Sequence, residues 1–347
     1  MRLVFVTDRS DAHVSRFDDL FGDISSHYLK LSVSHAPSGV PVVVVGDESI
    51  QGWGDIREFL AREPSLVVSA PLDTVTIPLA GGDYRHVGIS FATDVMVSAA
   101  ASSDSLEALG SAVVACDAIV TDNYATENAL IALGVAETAL IRIPWGPDTR
   151  HLPSLTRAEV GWPEDRKILL YPRSLESHYQ PEVFVSALAH IVHDVPEVLA
   201  VMVEAGSQVQ STKGLIATAG LDDYVRWEPL STADHFLGLL GLSDCVVVTP
   251  KTDGTSVTVM DAMNQGIPVV SSLTAGSAQW VIQGITGWNF PVGDADRLAE
   301  VVIEALRSDS RRREAITGNA KRLVDSRAGW QASSVQLKDK LSVLLRN

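Results

Sequence analysis

The sequence predicts an α/β protein of two consecutive domains, each a parallel sheet covered by helices on both faces. Three observations lead there. Short, fully apolar strand-like runs alternate with longer helix-like stretches, the rhythm of a parallel sheet buried from both sides. That rhythm breaks once, between Pro144 and Pro163, in a run rich in proline and glycine, and then restarts. With 347 residues, the chain is long enough for two cored domains of about 150 residues each.

In the first half, strands are expected at LVFVT (3–7), PVVVV (41–45), LVV (66–68), HVGIS (86–90) and AIVT (118–121), with helices at 24–35, 104–115 and 124–133. The interruption PWGPDTRHLPSLTRAEVGWP cannot continue regular structure, so the interdomain connection is placed there. Strands then recur at KILLY (167–171), VLAVMV (198–203), YVRW (224–227), CVVVT (245–249) and IPVVS (267–271). Helices are expected near 181–193, 233–242, 256–265, 295–306 and 310–326. This gives domains at 1–150 and 164–330. The last stretch, 331–347, reads as an amphipathic helix through Val335, Leu337, Leu341, Val343 and Leu344. It is expected either to cap the second domain or to pack back on the first.

Composition narrows the function classes. A hydrophobic content of 46 % argues against global disorder. No run approaches the ~20 apolar residues that span a bilayer. The start MRLVFVTDRSD lacks the charged and apolar regions of a secretory signal, so cytoplasmic residence is expected. Cys116 and Cys245 lie far apart, outside any CxxC or Cys/His set, and read as reduced core residues. Forty-three acidic against 27 basic residues, a net charge of −16, disfavour nucleic acid and anionic membrane surfaces as partners. A nucleoside diphosphate is not excluded, because a helix N-terminus and one or two cations bind it locally. No metal-ligand motif is visible, and nothing in the pattern specifies an oligomer.

The most informative stretch is TPKTDGTSVTVMDAMNQGIPVVSS (249–272). A strand ends at Thr249, a polar loop follows, and a helix starts near Ser256. Ligands of open α/β sheets bind beyond the carboxyl ends of strands, where this loop must lie. Gly254 permits a tight turn, and Thr255 and Ser256 can cap the helix and direct backbone N–H groups at a phosphate. Asp253 precedes the helix and Asp261 sits eight residues on. The first can accept hydrogen bonds from sugar hydroxyls and the second from a ribose. Each also has a purely structural reading, Asp253 as a turn or cap residue and Asp261 as one charge on a solvated face.

The run DGTSVTVMDAMNQGIPVVSS, followed by GSAQWVIQGITGWNFPVGDADRLAEVV, resembles the retaining nucleotide-sugar glycosyltransferases of family 4. That family carries two glutamates at this spacing where this chain has Asp253 and Asp261. RIPWGPDT (142–149) is similar to the family's VIPNGVDT hinge, with Trp145 in place of asparagine. The resemblance covers about residues 115–305. It implies a GT-B fold, two Rossmann-like domains facing each other across a cleft, with the acceptor mostly on the first and the donor on the second. It further implies retention of anomeric configuration, no obligate metal, and no cofactor beyond a UDP-, GDP- or ADP-linked sugar substrate.

Residue by residue, the resemblance assigns Arg173 in YPRSLESHYQP to the diphosphate, while His178 stands where the family has lysine. An ordinary histidine is largely neutral at pH 7, so it is a weaker permanent counter-charge. Lys251 can supply the missing charge, or can be a plain surface lysine. The base is expected near 225–230, VRWEPL, held largely by backbone groups, with Trp227 either beside it or in the core. Gly206, after Glu204 and Ala205, is placed near the diphosphate. In the first domain, FGDISSHYLKLSV (21–33) is set where the family has a glycine loop opening the first helix, making Gly22 a candidate. FATDVMVS (91–98) is similar to relatives ending this strand in G-x-D. Asp94 thereby becomes the acceptor-side catalytic candidate, able to orient an acceptor hydroxyl, to take its proton or merely to cap the next segment. Asp73 and His86, each beside a strand end, are further acceptor-side candidates.

The expected function is transfer of a sugar from a nucleoside-diphosphate sugar to a hydroxyl of a small molecule or glycan. The alternatives are a sugar-nucleotide epimerase or hydrolase, or a non-catalytic sugar-nucleotide-binding protein of the same fold.

Overall fold

The computed structural model describes residues 1–9, 12–98, 101–147, 154–229 and 232–346. The chain divides into two compact units, Met1–Pro144 with Gln331–Asn347, and Trp145–Trp330.

Unit 1 begins with β1 (Arg2–Thr7), α1 (Ala12–Ile24), β2 (Tyr28–Ser32), β3 (Ser34–His35), β4 (Pro41–Val45), β5 (Glu48–Gln51), α2 (Trp53–Ala61) and β6 (Ser65–Ala70). It continues with α3 (Ile77–Leu79), β7 (Arg85–Ile89), α4 (Thr93–Met96), α5 (Ser103–Val114), β8 (Ala118–Thr121), α6 (Tyr124–Ala132) and β9 (Leu140–Arg142). Six strands form a parallel sheet in the order β2-β1-β6-β7-β8-β9. Successive side chains of β1 point to opposite faces, and both faces are covered. Val4 and Val6 join Leu31, Ile56 and Leu60, while Phe5 packs against Phe17 and Phe21 of α1 with ring centroids 6.2 and 5.1 Å away. That double coverage is why the strand reads as continuously apolar.

Two expectations fail in this region. The segment 24–35 is not a helix: after α1 it forms β2, which pairs in parallel with β1. Its YLKLS run, with Leu31 buried and the residues before it only partly covered, fits an edge strand better than a 3.6-residue stripe. PVVVV is a strand but lies outside the parallel sheet, pairing antiparallel with β3 and β5 in a separate three-stranded sheet. Val44 is 63 % exposed there, so an apolar run alone did not mark a central strand.

Unit 2 contains β10 (Lys167–Tyr171), α7 (Pro181–Asp194), β11 (Val198–Glu204), α8 (Val209–Thr218), β12 (Val225–Pro229), α9 (Ala233–Leu242), β13 (Cys245–Val248), α10 (Val257–Asn264), β14 (Val269–Ser272), β15 (Trp288–Phe290), α11 (Ala295–Arg307) and α12 (Ser310–Arg327). Its parallel sheet runs β12-β11-β10-β13-β14-β15. Ile168 and Leu170 of β10 face one core, and Leu169 and Tyr171 face the other. The order reverses between β10 and β13, the switch point at which loops splay apart and leave room for a ligand.

The final helix, α13 (Trp330–Arg346), counts with unit 1 from Gln331 onward. Leu337 and Leu341 are fully buried, whereas Val335 and Val343 are exposed. Lys338 lies 3.7 Å from Asp23 at the end of α1. Within unit 2, the Trp330 N–H donates to the Pro147 carbonyl at 3.3 Å. Of the hinge-like RIPWGPDT, Asp148 and Thr149 fall outside the described residues, as does Leu230 of VRWEPL. Among the described residues no helix is long and apolar enough to cross a membrane.

Candidate active site

The site grows from the carboxyl ends of β10 and β13, neighbours at the switch point. Beyond β13, the buried Thr249 hydroxyl donates to the Tyr179 carbonyl, which also accepts from the Tyr171 hydroxyl at 2.7 Å. The Lys251 N–H donates to the His178 carbonyl at 2.9 Å. These bonds fasten the loop after β13 to the loop after β10. Between them lies Arg173, 3.3 Å from the Asp253 carboxylate and 3.4 Å from the Ser256 hydroxyl, its guanidinium 4.0 Å over the Tyr179 ring. Burial opposes its charge, but Asp253, Tyr179 and Tyr171 outweigh that and hold the group firmly protonated. The Ser256 hydroxyl caps α10, accepting from the Val259 N–H at 3.5 Å, and the Asp253 carboxylate accepts from the Gly254 N–H at 3.0 Å.

Two glycines hold this geometry by allowing close approach. Gly206 has φ +114°, and a Cβ there would stand 2.5 Å from the Leu175 carbonyl oxygen. It lets the end of β11 press against the loop carrying Arg173, where Leu175 N–H donates to Ala205 at 2.6 Å. Gly206 therefore shapes the loop. Gly276, not singled out by the sequence, lies after β14; a Cβ on it would meet the carbonyl oxygens of Asp253 at 2.1 Å and Gly254 at 2.4 Å. It backs the loop after β13 directly.

His178 is half-buried beside this pair, and its Nε2 has no hydrogen-bond partner. Burial pushes its pKa below the ordinary value, with Arg173 and Lys251 adding to the fall and Asp253 and the Thr252 backbone resisting it. The Lys251 side chain is exposed. Asp261 lies on the second turn of α10 and is only 8 % exposed, which removes the reading of a solvated face. Trp227 takes the core alternative: it sits within β12, partly buried against the core, with the Lys213 ammonium 5.1 Å from its ring. In the order β12-β11-β10-β13, it stands two strands from Arg173.

In unit 1, Asp94 follows β7 and is 1 % exposed. Its carboxylate accepts from Leu72 N–H at 2.9 Å, Ser90 hydroxyl at 2.7 Å and Phe91 N–H at 3.1 Å. Burial pushes its pKa up, against the pull of those three bonds. The chain reaches it through a tight turn at Ala92, φ +66°, closed by Thr93 N–H to Phe91 carbonyl at 2.8 Å. A non-glycine residue in such a turn is strained, and Ala92 stands where the G-x-D pattern has glycine. Asp73 lies on a single π-helical turn, Leu72–Thr76, accepting from Thr74 N–H at 2.9 Å and Ser98 hydroxyl at 2.5 Å. Thr74 in turn donates to Asp8, just beyond β1, at 2.6 Å.

Gly22 and His86 are corrections. Gly22 is inside α1, in its last turn; the chain between β1 and α1 is residues 8–11, of which 8 and 9 are described. His86 lies near the amino end of β7, the edge away from Asp94, 3 % exposed and bonded to Ser69 at 2.7 Å. Burial lowers its pKa to about 4, so it is a neutral core residue. Among the described residues, no group of three or more His, Cys, Asp or Glu is arranged to hold a metal ion.

Residues 154–323, which contain the whole Arg173–Asp253–Asp261 constellation, match the family Glycosyl transferases group 1. D-inositol 3-phosphate glycosyltransferase of Arthrobacter sp. (strain FB24) is 28 % identical over 183 residues, covering 52 % of this chain. The match spans 43 % of that relative, less than half its length. Anabaena HepE, solved in complex with UDP, superposes with a TM-score of 0.80 at 17 % identity over 99 % of this chain and 100 % of that one. Sucrose-phosphate synthase of Thermosynechococcus elongatus gives a TM-score of 0.79 at 15 % identity over 100 % of both chains. Residues 154–323 thus match the Glycosyl transferases group 1 model, and the chain as a whole has the two-sheet GT-B fold of these solved structures.

Proposed function

We propose that the protein transfers a sugar from a nucleoside-diphosphate sugar to an acceptor hydroxyl, with retention of anomeric configuration and without a metal ion. The observation that carries this is Arg173, a partly buried permanent cation held between Asp253 and the N-cap of α10. When the bond between the anomeric carbon and the phosphate oxygen breaks, its electron pair goes to the diphosphate. A fixed guanidinium and helix N-terminus stabilise that charge without reorganising. Arg173 uses long contacts here, so guanidinium donors remain for the phosphates. Asp253 orients the donor sugar, and Asp261 holds the ribose. The acceptor oxygen bonds to the anomeric carbon, and Asp94 directs or takes its proton. Structures of the similar HepE with UDP and with UDP-glucose support a nucleotide-sugar donor.

A panel of UDP-, GDP- and ADP-sugars, tested by thermal shift, identifies the donor, since selective binding stabilises the native state. With that donor, R173A and D253A are each expected to lower turnover at least ~100-fold with unchanged circular dichroism. Near-wild-type rates in both variants overturn the assignment. Release of sugar to water or its epimerisation, with no acceptor product, identifies the alternative enzyme classes.

A further inference from the structure

Unit 1 contains a cavity of about 220 Å³ at the carboxyl edge of its sheet, between the segments after β6 and β7 and the outer face of α5. Its polar wall is Asp73, Asp94, Ser98 and Ser105. Its apolar wall is Ile77, Ala108 and Leu109. At roughly 30 Å³ per water the space holds about seven waters, the size of one six-membered ring with substituents. A nucleotide or a glycan chain does not fit.

The lining selects the chemistry. Asp73 accepts one hydrogen bond on each carboxylate oxygen and keeps a lone pair on both, while Asp94 keeps one on Oδ1 alone, its Oδ2 already accepting from Leu72 and Phe91. The Ser98 hydroxyl donates to Asp73, leaving its oxygen as an acceptor. Hydroxyl or ammonium groups on the edge of a ring match this wall, and the C–H face of the ring matches Ile77 and Leu109. An anionic group finds no cation among the described lining residues and meets two carboxyl groups instead. Arg9, at the same edge of the sheet, stacks 5.1 Å from the Phe91 ring and is not part of the lining. A metal ion is not the occupant either, because no third acidic or histidine ligand joins the pair among the described residues.

We infer that this cavity is a subsite for a single polyhydroxylated ring that is neutral or amino-bearing, and that it discriminates against a phosphorylated one. That this ring belongs to the acceptor rests on the transferase reading above; the binding preference does not.

The test is binding to the full chain without any nucleotide sugar. Saturation-transfer NMR compares myo-inositol, glucosamine and inositol 3-phosphate at equal concentration. The first two are expected to bind, with the phosphate at least ~10-fold weaker. Ala108→Trp, at an exposed position on α5, should abolish the signal while leaving the fold intact. D73N should narrow the gap between myo-inositol and its phosphate, a charge effect that loss of shape alone does not produce. The inference is overturned if the phosphate binds as well as myo-inositol, if Ala108→Trp leaves binding unchanged, or if no ring binds. Failure of the donor reading shows separately, as absence of any thermal shift with nucleotide sugars.

Discussion

His178 stands where the resemblance to family 4 places a lysine, and its surroundings give that difference a physical consequence. Its half-buried ring carries an unpartnered Nε2 and a pKa below the ordinary histidine value, first through burial and then through Arg173 and Lys251. In the free protein the ring is therefore neutral at pH 7. On the proposed function, a diphosphate bound beside Arg173 is expected to favour the proton and raise the pKa of His178. Protonation then supports departure of the leaving group until pH climbs through that raised value, so turnover falls on the alkaline side. Lysine keeps its charge to higher pH. H178K is expected to move the alkaline limb upward, and H178A to remove the histidine-dependent step. Three superimposable profiles at saturating donor and acceptor take His178 out of the mechanism. Arg173 and Asp253 were legible at this scale because a short motif fixes them to a loop and a helix start. Trp227 and His86 were not, since nothing local says which face of a strand meets a ligand and which meets the core.

At the scale of elements, the site around Arg173 is a set of loops braced against one another. The loop after β13 is fastened to the loop after β10 through Thr249, Tyr171 and Tyr179, and backed by the segment after β14. There the Ser272 hydroxyl donates to the Pro250 carbonyl at 2.7 Å, and Thr274 and Ser277 cap each other. Gly276 leaves no space for a methyl group between itself and Asp253–Gly254. Gly276→Ala must push that loop aside, because its obstacles are backbone carbonyls. We expect a fall in kcat/KM of at least about 10-fold, since small displacements of positioning groups carry large rate costs. Overpacking should lower stability by about 1–3 kcal/mol. Crystallography or donor titration of the variant reads the displacement; unchanged donor affinity and turnover remove Gly276 from the positioning role. The periodicity of 256–265 sufficed to find α10. The approach of Gly276 to a loop 22 residues earlier in sequence left no local trace.

For the molecule as a whole, the proposed function has Arg173 and the N-terminus of α10 supply the counter-charge for the diphosphate, in place of a divalent cation. Turnover is expected to survive exhaustive EDTA treatment; activity lost and regained only with Mg²⁺ or Mn²⁺ contradicts that. The sequence by itself determined two parallel-sheet units, most of their strands and helices, and the donor loop. Those features are local: fully apolar strands, helix caps such as Ser256, and a proline-rich break depend on neighbours a few residues away. Only the tertiary structure decided that PVVVV belongs to a separate antiparallel sheet and that 28–32 is an edge strand beside β1. It also decided that residues 331–346 count with unit 1, and that Asp73, Asp94 and Ser98 share a cavity. Each of these rests on contacts between residues distant in sequence, where burial on one face or both, not the identity of the residue, sets the outcome.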